Sequence, residues 1–202
     1  MRKDEITMKI RLDFVTNSSS SSFIAINHES YDNNYSLIES EEDKDNFVLF
    51  ESGNKEFGWE QREYKDMESK VNYILIQIAD LDYYSNKNNT GYFSREISKE
   101  LVQSYKSKIE SILYENLGIT KINWDKLKQL IDDSFDIYID HQSSFYENPY
   151  LEEFIMTRLE DFLFNNKSVI ITGNDNVYGE DETFNGLDNK YRYNNNYSYI
   201  FS

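Results

Sequence analysis

One apolar stripe constrains this chain more than any other feature. From about Glu60 to Tyr84, the residues Tyr64, Met67, Val71, Ile74, Ile78 and Leu81 recur at alternating steps of three and four. That spacing lines one face of a long α-helix, and such a face needs another element to cover it. Glu60, Glu63 and Asp66 fall in the predicted first turns, where the positive end of the helix dipole favours carboxylates. A second stripe, Ile97, Leu101, Tyr105, Ile109, Ile112 and Leu113, predicts a second helix capped by Ser94 and stopped at Gly118. Asn123 or Asp125 can cap a short third helix to Ile131. Asn148-Pro149 opens a fourth, with Leu151, Phe154, Ile155, Leu159, Phe162 and Leu163 as its core face.

Strand patterns surround these helices. Met8, Ile10, Leu12 and Phe14 alternate with polar residues, and Phe23 to Ile26 form a second predicted strand. Phe47 to Phe50 and Phe135 to Ile139 read as strands too. Val169-Ile170-Ile171 is a continuous apolar run, the kind found in a sheet covered on both faces. Tyr191 to Phe201 alternates again, which would set Tyr191, Tyr193, Tyr197 and Tyr199 on one strand face. The expected fold is α+β, with α/β as the alternative: a mixed β-sheet with three to four packed helices, in one domain over residues 1–202. Residues 29–45 and 174–189 read as mobile loops.

Thirty aromatic Tyr and Phe residues (17 and 13) supply core volume to a chain whose hydrophobic fraction is only 39%. The absence of cysteine excludes disulfides, thiolate metal sites and a Cys nucleophile. Two histidines, His28 and His141, exclude a His-rich metal centre, and neither a metal nor a cofactor is expected. No apolar run approaches the ~20 residues of a membrane-spanning helix. The first residues lack the apolar core of a signal peptide, so the cytoplasm is the expected location.

Thr16 and Asn17 lead into five serines, Ser18 to Ser22. A turning backbone there could offer N–H groups and hydroxyls to an anion, with Ser18, Ser19, Ser20 and Ser21 as the binding residues. It lacks the glycines and lysine of a P-loop, and a plain polar connection between two strands is the favoured reading. The segment Lys9-Ile10-Arg11-Leu12-Asp13-Phe14-Val15-Thr16-Asn17, with the serines and Phe23, resembles the start of a group of uncharacterised proteins from low-GC Gram-positive bacteria and their phages. Phe57-Gly58-Trp59-Glu60 and Asp140-His141-Gln142-Ser143 are similar to later segments of that group. The resemblance covers about a fifth of the chain. It implies a bacterial or phage setting and a cytoplasmic accessory protein, and it carries over no catalytic residue.

Asp140-His141 is the best catalytic candidate, since histidine titrates near neutral pH and strand ends host many α/β sites. Asp175 could converge on His141 from another strand end, with Gln142 and Asn174 completing a polar pocket. Such a pocket would suit a small hydrolase or transferase acting on a nucleotide or phosphate ester. A third reading is a structural protein that oligomerises through its tyrosine-rich C-terminal part.

Charge favours a different expectation. The net charge is −16. Residues 29–68 hold 13 acidic and 4 basic residues, and residues 129–165 hold 9 and 1. Direct nucleic-acid binding is not expected, because it needs clustered Lys and Arg. The leading expectation is an acidic protein-binding accessory factor, encoded by a phage or prophage. It would inhibit or modulate a basic host protein that handles nucleic acid or serves defence, in the manner of a DNA mimic or an anti-CRISPR. Glu39, Glu41, Glu42 and Asp43 are the candidate contact residues.

Overall fold

A computed structural model describes residues 20–31, 35–40, 44–58, 60–86, 98–134, 136–139, 151–174, 190–191 and 194–201. Among these, the element order is β1 (Ser20–Asn27), β2 (Glu56–Phe57), β3 (Arg62–Tyr64), α1 (Met67–Asn86), α2 (Lys99–Leu117), α3 (Trp124–Asp133), β4 (Tyr138–Ile139), α4 (Leu151–Thr157), α5 (Leu159–Phe164), β5 (Val169–Asn174) and β6 (Tyr197–Phe201). The predicted strand over residues 6–15 lies outside the described residues.

The main sheet runs β3-β5-β1-β6 and every pairing in it is antiparallel. A small second sheet pairs β2 with β4 in parallel, Phe57 opposite Ile139. Helices beside such sheets make the molecule α+β. Val169 and Ile171 pack with Ala25 and Tyr191 on one face of the sheet, while Ile24, Ile26 and Ile170 join the helical core on the other. Both faces are covered, which is why Val169-Ile170-Ile171 is apolar at every position.

α1 is the centre of the molecule. It is buried continuously from Ser69 to Ala79, well beyond the single predicted stripe. Its buried polar residues all find partners. Lys70 Nζ donates to Asn165 O at 2.8 Å. Ser69 Oγ accepts from Asn54 N at 2.8 Å. The Asn72 amide accepts from Phe50 N at 2.8 Å and donates to Phe50 O at 2.9 Å.

Those last bonds explain a departure from expectation. Phe47 to Phe50 is not a strand, because the Asn72 side chain takes the backbone groups of Phe50 that a neighbouring strand would need. Only Phe47 keeps an isolated bridge, to Ile122. The long helix also starts later than its stripe implies. Arg62–Tyr64 is strand β3, and Asp66 caps the helix by accepting from Ser69 N at 2.7 Å. Glu63 therefore sits on the sheet edge and meets Lys65 and Lys190.

α2 is capped by Ser98, whose Oγ accepts from Leu101 N at 3.1 Å, and Gly118 ends it with φ 74°. Asn123 caps α3 through Lys126 N at 2.9 Å. The predicted fourth helix is broken at Arg158 into α4 and α5. Tyr191 is not part of β6; its buried ring meets Tyr197 edge-on at 5.0 Å. The 29–45 stretch has no strand or long helix at its described residues. It is nonetheless tied down: Ile38 N donates to Leu117 O at 3.0 Å, and Tyr35 OH to Phe164 O at 3.2 Å.

Candidate functional site

The two ends of β1 differ in chemistry. At its start, Ser20 pairs with Asn174, Ser21 with Gly173 and Ser22 with Thr172. The tail of the serine run is therefore strand, correcting its reading as a connection. The pairing brings two of the predicted polar segments together. Ser22 is fully buried, and its Oγ lies 2.6 Å from Tyr73 OH. Tyr73 in turn meets Phe57 edge-on at 4.9 Å. Thr172, also fully buried, donates to Glu60 O at 2.7 Å. Ser22 and Thr172 thus stitch the sheet to α1 and to the turn before β3. Ser18, Ser19, Asp140, His141, Gln142, Asp175, Glu41, Glu42 and Asp43 lie outside the described residues.

At the other end of β1 opens a cleft of about 450 Å³, lined by Asn27 to Tyr31 with Arg158 and Asp161. Its floor is organised by Asn165, whose amide donates to Asn27 O and Glu29 O, each at 3.1 Å. Arg158 donates to His28 Nδ1 at 2.6 Å, so that nitrogen accepts and the ring proton belongs on Nε2. Arg158 Nε stands 3.4 Å from Asp161 without a hydrogen bond. Burial, then the charges of Asp161 and Glu160, push the Tyr31 hydroxyl up to about 12. Residues 129–165 contain nine acids and Arg158 as their one base, and that contrast was the available signal for this cleft. Among the described residues, no three of His, Asp and Glu are grouped to hold a metal ion.

A third region is a shoulder at the C-terminal end of α2. Leu37 is 62% exposed and Tyr114 60% exposed. They flank the same turn: Tyr114 O accepts from Gly118 N at 3.0 Å, and the Leu37 side chain lies where a Cβ on Gly118 would meet it at 3.8 Å. Glu39 and Glu115 are exposed beside them. Asn116 Nδ2 donates to Glu160 at 3.1 Å, which brings that exposed carboxylate to the helix end. Asp45, bonded to Thr120, stands beyond Gly118 with Lys44 and Lys121. The last turn of α2 contains no basic residue, so the negative end of its dipole adds to the four carboxylates. Of the residues predicted for binding, Glu39 is the one the described structure places here. Leu37 and Tyr114 were missed, because exposure of a single apolar side chain leaves no mark in a sequence pattern.

No protein-family model, curated protein or solved structure matches the chain. Among the described residues, no helix is long and apolar enough to cross a membrane.

Proposed function

We propose that this chain is an acidic protein-binding factor that covers a basic surface on a protein handling nucleic acid. The observation that supports it is the α2 shoulder: Leu37 and Tyr114 are each exposed at the same helix end, bordered by Glu39, Asp45, Glu115 and Glu160 against Lys44 and Lys121. Aromatic and aliphatic anchors inside a charged rim give specificity, and the rim charges speed association. Tyr114 and Leu37 are the anchors, and the carboxylates meet Lys and Arg on the partner.

The test is competition. A partner captured from a bacterial lysate at low salt should be basic, should be released as salt rises, and should be displaced by nucleic acid. Tyr114→Ala with Leu37→Asp should weaken capture about a hundredfold, and Glu39→Lys about threefold. Capture that persists at high salt, or that nucleic acid fails to displace, would refute the proposal.

A further inference from the structure

Between α1 and α3 runs a groove of about 230 Å³, lined by Ala79, Asp80, Tyr83, Lys128, Ile131 and Asp132. Its parts do not cancel one another. Lys128 pairs with Asp82, where Lys106 also binds at 2.7 Å. Both nearby ammonium groups are thereby held on one carboxylate. Asp80 is left half-buried, and among the described residues no hydrogen bond or ion pair reaches its carboxylate. Burial alone pushes its carboxyl up to about 6. Tyr83, 41% exposed, lines the groove with it, and Ile131 and Ala79 supply apolar lining. Asp132 is exposed at the rim.

A half-buried carboxylate beside an aromatic face and an apolar wall matches one kind of guest. A guanidinium is planar, weakly hydrated, donates in pairs to carboxylates and lies flat on aromatic rings. We propose that this groove receives an arginine side chain, with Asp80 accepting its N–H groups, Tyr83 stacking on its plane and Asp132 facing its outer edge. Taking that arginine from a partner protein rests on the reading above, whereas recognition of the guanidinium does not.

The probe is acetyl-Gly-Arg-Gly-amide, followed by NMR titration of the intact chain, with the citrulline peptide as its uncharged counterpart. Saturable shifts are expected at residues 79–83 and 131–132, at least tenfold weaker for citrulline. Asp80→Asn should lose about tenfold in affinity, and Tyr83→Leu about threefold. Because Asp80 must be ionised to accept the guanidinium, binding should strengthen as pH rises from about 5 to about 7, and Asp80→Asn should flatten that rise. Tyr83, Lys128 and Asp132 line the groove and the Asp82–Lys106 pair lies next to it through Lys128, so the comparison with Asp80→Asn isolates the one carboxyl. Equal binding of arginine and citrulline, no saturable shift, or unchanged affinity in Asp80→Asn would overturn the proposal. Leu37→Asp should leave this titration unchanged, so failure at the shoulder and failure at the groove are read separately.

Discussion

Lys70 carries an ammonium into the core of α1, where it donates to Asn165 O and lies 5.7 Å from the centre of the Phe162 ring. Burial lowers its pKa from 10.5 to about 7, against the pull of Asp66 and Glu68. The unfolded chain therefore binds one more proton than the folded chain between those two values. Stability consequently climbs as pH rises across that window, and the full cost of burying the charge is present below about 7. Lys70→Met should lack this slope, so the difference in stability between parent and variant, measured by urea unfolding from pH 7 to 10, should grow with pH. A parallel pair of curves would show that Lys70 titrates normally. Asp80 has the opposite sign. Its folded pKa is raised, so stability falls as pH rises from about 4 to about 6, and a bound cation would offset the loss.

At the scale of elements, much was legible in the residues. The stripes of α1 and α2, the Gly118 stop, the Asn123 cap and the covered strand at Val169 all carry local patterns that tertiary contacts did not override. The misses have tertiary causes. Phe47 to Phe50 has strand composition, yet its backbone is claimed by an asparagine one helix away. Arg62–Tyr64 continues a helical stripe, yet it pairs with β5, because Asp66 fixes the helix start after it. The candidate catalytic segment around His141 lies outside the described residues, and the shoulder depends on two exposures that no periodicity encodes. Two glycines separate these kinds of cause. Gly118 needs its positive φ, but a Cβ there meets only Leu37 at 3.8 Å; Gly118→Ala should cost about 1–2 kcal/mol. A Cβ at Gly53 would stand 2.6 Å from the Glu68 backbone carbon, so Gly53→Ala must push its loop away from α1. Thermal unfolding should rank Gly53→Ala as the more damaging change, and the reverse order would mean the 50–54 loop yields freely.

The whole molecule holds 37 acids against 21 Lys and Arg. Some carboxylates are matched: Asp82 with Lys106 and Lys128, Glu63 with Lys65 and Lys190, Glu29 with Lys167. At net −16 the unmatched ones still repel, and screening shortens their reach to about 8 Å at physiological salt. Raising sodium chloride from about 0.02 to 0.5 M should therefore raise the melting temperature by a few degrees. A fall would mean that the ion pairs outweigh the repulsion.

β1 is the middle of the sheet, and both of its neighbours come from residues 169–174 and 197–201. On the ribosome this strand emerges long before either partner is made. Until then its row of backbone donors and acceptors is open to any other nascent chain. The five described helices translated in the interval can shelter its apolar face but cannot occupy its edges. Each newly made molecule thus passes through a stage in which it is sticky along one strand, and the demand it places on chaperones grows with the speed and density of its translation.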